Sequence, residues 1–385
     1  MCCYIEITIK SMPLVPPYIS ALEPYRMARS VDEIRKLYGL KKVIKLASNE
    51  NPIGASPLAV AAIANSLNNL NLYPTGGLRL REVLAQQFGT KIQNVIAGNG
   101  SESILANIVR TFLADDDEVL TAAGTFIGMR TVAQSRGVLY RTIPLTDNYA
   151  FDLPGLAAAI NERTKIVYLA NPNNPTGTIF TRHEFDEFYR HVPERVLIIL
   201  DEAYFEFAHD NPNYPDSMHY RYDNVITLRT FSKAYGLAAV RIGYAFAHED
   251  LIANLLKVKL PFEPSALAEA AAIAALEDRE FLHRTLELNA RGMRLVTNAL
   301  TDLAIDFVPS EGNFVMTVWP DEKAAENFAE NLLRSGVIVR YLDSFGVPNG
   351  VRISIGSPED NEFLVSALDK GLDKLPESRK LALCS

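Results

Sequence analysis

Cysteine is scarce in this chain: of 385 residues only three are Cys, with Cys2 and Cys3 adjacent and Cys384 far away. That spacing builds neither a disulfide framework nor a metal site, and a reducing cytoplasm is the expected setting. The histidines, His183, His191, His209, His219, His248 and His283, also lack a metal-ligand spacing, so no metal is expected. No window holds the roughly 18 uninterrupted apolar residues that a membrane helix needs, and the opening MCCYIEITIK lacks the charge and apolar run of an export signal. Cations are in the minority, 38 Lys and Arg against 46 Asp and Glu, for a formal net charge of -8. Phosphate backbones demand clustered cations, so nucleic acid is not expected as a partner. A G-x-x-x-x-G-K-[ST] loop is missing too, which counts against a P-loop nucleotide hydrolase.

What is present is a repeated alternation. Apolar runs of strand type, VIKLAS (43 to 48), NVIAGN (94 to 99), DEVLTAA (117 to 123), KIVYLAN (165 to 171), VLIILDEAY (196 to 204) and NVITLRTFS (224 to 232), are each followed by turn chemistry. Segments with apolar residues at helical spacing, such as SPLAVAAIANSL and SESILANIVRTFL, lie between several of them. Such alternation predicts an α/β fold with a mainly parallel sheet between cover helices. A helix-rich stretch follows from about Glu249 to Ala304, and beyond it FVMTVW, GVIVRYL and GVRISIG suggest a smaller α+β domain. The expected division is 1–45 for an N-terminal arm and part of the small domain, 46–260 for the large domain, and 261–385 for the small domain.

Four segments carry chemistry. TFSKAYGLAAVRIGY (230 to 244) sets Lys233 among small and hydroxylated residues just after a strand. A lysine ammonium is a poor nucleophile until its pKa falls or a carbonyl traps it as an imine. VLIILDEAY ends a buried-type run on two carboxylates, at the strand end where open α/β sheets place ligands. NPNNPTG (171 to 177) is rigid turn chemistry, and its asparagine amides can also reach a ligand oxygen. GNGSES (98 to 103) leaves a strand and opens a helix, so its backbone N–H groups can face an anion.

Taken in order, SNENP, YPTGG, GNGSES, NPNNPTG, DEAY, SKAYGL with RIGY, and RISIG resemble the fold-type I pyridoxal 5′-phosphate (PLP) aminotransferases, and most of all the histidinol-phosphate aminotransferase branch. The likeness runs from about Pro24 to Leu368. It implies a large domain with a seven-stranded-type, mainly parallel sheet, and a homodimer with shared active sites. By position, Lys233 resembles the lysine that carries PLP as a Schiff base, and Asp201 the acid that keeps the pyridine nitrogen protonated. Tyr204 and Asn174 resemble the pair that hydrogen-bond the phenolic oxygen, and Phe126 the aromatic ring stacked on the pyridine. The phosphate would be held by Ser101 and Glu102 backbone N–H groups with Thr230, Ser232 and Arg241, and by Tyr73 from the partner subunit. Arg352, Arg340, Asn51 and Tyr25 resemble substrate-binding residues; a guanidinium suits a carboxylate or a phosphate.

The expected activity is transfer of an amino group from a donor, histidinol phosphate first, to a 2-oxo acid such as 2-oxoglutarate, in two half-reactions. The run PYRMARS (24 to 30) departs from the Pro-Gly-Lys element common after Pro-Tyr in that branch, so an aromatic or specialised-metabolite amino acid stays open as donor. A PLP-dependent decarboxylase and a non-catalytic PLP-binding module are the remaining readings.

Overall fold

The computed structural model describes residues 14–24, 29–219 and 223–372. Among the described residues thirteen strands form three sheets. Strand β1 (Ile44–Lys45) precedes a group of seven: β2 (Val95–Gly98), β3 (Glu118–Ala122), β4 (Leu139–Ile143), β5 (Thr164–Ala170), β6 (Leu197–Asp201), β7 (Val225–Thr230) and β8 (Gly243–Phe246). These seven build the central sheet in the order β2-β8-β7-β6-β5-β3-β4. All neighbours are parallel except β8, which runs against both β2 and β7.

The middle strands read as continuous apolar runs because they are covered on both faces. Every residue of β3, β6 and β7 is buried, and so is every residue of β5 but one. One face packs on the helix Ser101–Phe112, whose buried Ile104, Leu105, Ile108 and Val109 repeat at helical spacing. The opposite face packs on the helix Arg182–Arg190 through Phe185 and Phe188. The chain moves outward from β3 to β4, then returns to the other side of β3 with β5 and continues to β6 and β7. Strand order therefore reverses beside β5, and a crevice is expected at the carboxyl ends of the strands there.

The remaining strands, β9 (Phe307–Val308), β10 (Phe314–Val318), β11 (Val337–Ile338), β12 (Arg340–Tyr341) and β13 (Gly350–Ser354), make the smaller unit. Four of them form an antiparallel sheet, β12-β13-β10-β9, while β11 pairs in parallel with β1. Its core joins Ile44 and Leu46 to Val315, Phe328, Ile353 and Leu364. The segment VIKLAS thus contributes its strand to the smaller unit rather than to the central sheet, because Ile44 and Lys45 find edge partners in Val337 and Ile338.

The helix Ala266–Glu277 packs with the segment 57–85 and β2 in a common apolar cluster. The 24-residue helix Arg279–Asp302 follows, about 36 Å long at 1.5 Å per residue. Asp278 caps it, accepting from Phe281 N, and also accepts from Ser56 Oγ. Its Thr285 contacts the strand-end loops while Val296 and Leu300 enter the core of the smaller unit, so one rigid rod touches both. Among the described residues no helix is long and apolar enough to cross a membrane.

Candidate active site

In-register pairing brings the ends of β5 and β6 together, Ala170 opposite Asp201, with Leu228 of β7 on the far side of Asp201. The loops that leave these strands enclose a cavity of about 210 Å³. Ten of the residues singled out above line it: Ser101, Glu102, Phe126, Asn174, Asp201, Tyr204, Thr230, Ser232, Lys233 and Arg241.

The two carboxylates at the end of β6 part company. Glu202 turns into the protein, accepting from Arg229 Nε at 2.8 Å and Ser217 N at 3.1 Å. Arg229 is fully buried and also meets Asp216, so this ion network is structural. Asp201 turns to the cavity. Its Oδ2 accepts from Tyr168 Oη at 2.7 Å, whereas its buried Oδ1 has no hydrogen-bond partner among the described residues. Removal from water pushes this carboxyl up to about 6, although the Tyr168 hydroxyl and the Ala203 backbone hold it down in part. An acceptor left without a donor in a buried site is costly, and a protonated ring nitrogen would satisfy it.

Lys233 lies in the turn after β7, its Nζ donating to Ser48 O at 3.1 Å and standing 5.8 Å from the centre of the Tyr204 ring. Burial lowers its pKa to about 8, and the nearby guanidinium groups of Arg352 and Arg241 act in the same direction. Tyr204 is buried, with its ring edge-on to Phe314, and its Oη accepts from Asn49 Nδ2 at 2.8 Å. The Asn49 orientation is fixed, since its Oδ1 accepts from Ser354 Oγ at 2.8 Å. The proton of Tyr204 is consequently left to point elsewhere. Asn174 projects from a loop held by Asn173, which donates to Gly124 O and Thr176 Oγ1 and accepts from Thr125 Oγ1. The Asn174 carbonyl accepts from Arg352 Nη1.

At the opposite wall the helix Ser101–Phe112 starts without a side-chain cap. Its first N–H groups have no intrahelical acceptor and form a ready anion site. Gly100 precedes them at φ +80°, and a Cβ there would lie 2.9 Å from Arg241 Nη2, so glycine both supplies the turn and lets the guanidinium approach. Arg241 itself holds a left-handed φ of +58°, a strained conformation for a long side chain. Thr230 Oγ1 and Ser232 Oγ meet at 3.0 Å beside it. Phe126 covers one flank; a Cβ on Gly128 would come within 2.4 Å of its ring. The cavity thus offers an anion cup, a carboxylate oxygen in need of a donor, an aromatic wall and a lysine of lowered basicity. These residues fit the phosphate, ring nitrogen and carbonyl of PLP.

Other expected residues lie elsewhere. Arg352, only 4% exposed, adjoins the cavity through Asn174 and also donates to Ala47 O at 2.7 Å. Arg340 lines a separate, larger cleft of about 1270 Å³ between the helices Ile127–Arg136 and Glu322–Arg334. It is nevertheless directly opposite Arg352 across β12 and β13, which places both on one face of the sheet. Asn51 does not line the cavity: its amide donates to Ala234 O and Thr285 Oγ1, bracing the lysine turn against the long helix. Tyr73 is 81% exposed and stacks on Phe262. Tyr25 falls outside the described residues. Sequence reasoning missed Tyr168, Asn49 and Ser354. Asn49, at φ +54°, stands two positions from the asparagine that was singled out. Among the described residues no group of three or more His, Cys, Asp or Glu could hold a metal ion.

Residues 41–368 match the sequence model of the family described as aminotransferase class I and II. The chain is 40% identical over 362 residues to the histidinol-phosphate aminotransferase of Anaeromyxobacter sp. (strain Fw109-5), covering 93% of this chain and 99% of that one. It is 43% identical over 348 residues to the enzyme of the same name from Brevibacillus brevis, covering 89% and 94%. Among solved structures, the histidinol-phosphate aminotransferase of Sinorhizobium meliloti, in complex with pyridoxal-5′-phosphate, superimposes with a TM-score of 0.86 at 28% identity, covering 96% of this chain and 100% of that one.

Proposed function

Because the chain belongs to the class I and II aminotransferases and is a PLP-dependent transaminase, we propose that it transfers the amino group of histidinol phosphate to a 2-oxo acid. The choice of donor is carried by the likeness to relatives named for that activity over nearly their whole length. Two guanidinium groups on one sheet face, Arg352 and Arg340, support it, because the donor brings a phosphate and the acceptor carboxylates.

PLP, when bound, supplies an electron-withdrawing ring that stabilises negative charge on the carbon losing a proton. The chain's own residues do the rest. Asp201, whose Oδ1 lacks a partner among the described residues, would keep the ring nitrogen protonated. The start of the helix Ser101–Phe112, with Thr230, Ser232 and Arg241, holds the phosphate. Asn174 and Tyr204 would hydrogen-bond the phenolic oxygen, Tyr204 by the proton that Asn49 leaves free, and Phe126 would cover the ring. Lys233 Nζ would hold the cofactor between turnovers, and its amine, of lowered basicity, would be the base that moves the proton at the amino-bearing carbon of the donor. A 2-oxo acid such as 2-oxoglutarate would accept the amino group in the second half-reaction.

A homodimer completes this reading. Leu67, Leu70, Leu72, Tyr73, Leu260 and Phe262 are all exposed, an apolar surface that a second copy would cover, bringing Tyr73 to the partner's phosphate cup. Sedimentation of the full chain should give twice the mass of one chain; a single-chain mass at micromolar concentration would sink the shared-site part.

The donor is tested by the visible spectrum of the purified PLP-loaded protein during separate additions of histidinol phosphate, phenylalanine and glutamate. Histidinol phosphate should bleach the visible band and leave the amine form of the cofactor. A response to phenylalanine with none to histidinol phosphate would reassign the enzyme to aromatic donors.

A further inference from the structure

Tyr168 belongs to none of the turn motifs, yet it reaches the site. It sits two residues before Ala170 on β5, so both side chains share one sheet face, and that face is also the one of Ile199 and Asp201 on β6. The ring is fully buried in the apolar cluster that contains Ile199 and Ala170. Tyr168 also lines the cavity, and its hydroxyl donates to Asp201 Oδ2 at 2.7 Å.

The arrangement decides which carboxylate oxygen is available. A phenol has one proton, and here it is spent on Oδ2; turning the carboxylate would break that bond in a buried place. Asp201 lines the cavity, and its Oδ1 is buried without a partner among the described residues. Resting on the PLP reading of this site, we propose that Tyr168 is a positioning residue, which orients Asp201 and keeps it ionised so that Oδ1 meets the ring nitrogen of PLP.

The surroundings explain why such help is needed. Glu102 from the helix start and Glu202 from the adjoining position both disfavour a negative charge on Asp201, as does burial. Tyr204 faces it from the loop beyond β6, and Tyr140 faces Tyr168 from β4. The cations Lys233 and Arg241 line the same cavity, with Lys233 in the turn after β7 and Arg241 beside the anion cup. The Tyr168 hydroxyl is the side-chain hydrogen bond that favours the charged form.

The test is PLP affinity of the full chain, stripped of cofactor and titrated with PLP between about pH 5 and pH 9. In the wild type, affinity should weaken as the pH falls through about 6, where Asp201 takes up a proton. Tyr168→Phe removes the hydroxyl and keeps the ring, and should move this acid limb upward by about one pH unit, while the alkaline limb set by Lys233 stays in place. A merely structural role would lower the melting temperature and leave both limbs where they were. In an Asp201→Asn background the Tyr168 change should alter PLP affinity by less than about twofold, because its effect runs through the carboxylate. Should the phenylalanine variant fail to fold, Tyr168→Met, which fills the same core position without a hydroxyl, is expected to give the same shift. An unmoved acid limb, or an equal loss of affinity with and without Asp201, overturns the proposal. Failure of the wild type to take up PLP at all would instead overturn the reading beneath it.

Discussion

Lys233→Ala should remain folded and still take PLP into the anion cup, while turnover falls by about a thousandfold or more, the loss typical when the group that moves the proton is deleted. The same amine has a definite pH signature. Its pKa is lowered from 10.5 to about 8 by burial and by the cations Arg352 and Arg241, so the folded state holds its proton less tightly than the unfolded chain does. The cost of the charged amine is present below about pH 8 and fades as the pH rises toward 10.5. Removing the amine should therefore leave the cofactor-free protein at least as stable at neutral pH as the wild type. In the wild type, the rate at which the visible band forms after addition of PLP should rise through about pH 8 as the neutral amine accumulates. Single-turnover spectra and thermal unfolding check both halves. A variant that transaminates near the wild-type rate would remove Lys233 from the chemistry.

The turn motifs were legible because an α/β sheet delivers the carboxyl ends of its strands to one edge. GNGSES, NPNNPTG, DEAY and the lysine turn are more than 130 residues apart at their extremes, yet each is the segment that leaves a strand, and strand order brings those exits around one cavity. What local sequence hides is orientation. Asn49 and Asn51 have the same chemistry two positions apart. Only the contacts of Asn49 with Tyr204 and with Ser354, 305 residues away, turn it inward, while Thr285 on the long helix holds Asn51 outside. Tyr168 lies in an unbroken apolar run and reads as core, which its ring is; the use of its hydroxyl depends on register with β6. Strand β4 escaped notice because it is an edge strand with half-exposed residues, including Arg141 paired to Glu118. Strand β8 is short, and its antiparallel course breaks the βα rhythm that exposed the others.

Asp201→Asn should trade activity for stability, and the two effects have one cause. Asparagine can accept from the Tyr168 hydroxyl as the carboxylate does, so the hydrogen bond at 2.7 Å has a successor. It cannot stay negative, so a ring nitrogen beside it would no longer be held protonated, and turnover should fall by about a hundred- to a thousandfold. In the cofactor-free protein the same charge is a burden. The folded pKa of about 6 lies above the ordinary 3.8, so folding favours the protonated acid, and stability is lost as the pH rises from about 4 to about 6. About two pH units correspond to an upper limit of roughly 3 kcal/mol. The asparagine variant without PLP should accordingly melt higher than the wild type at pH 8 and show little difference near pH 4. Saturating PLP should reverse the order at pH 8, because only the carboxylate gains the ring nitrogen as partner. Equal melting temperatures at pH 8 without cofactor would mean that Asp201 is solvated rather than buried. A loss of turnover below about tenfold would mean that another group protonates the ring.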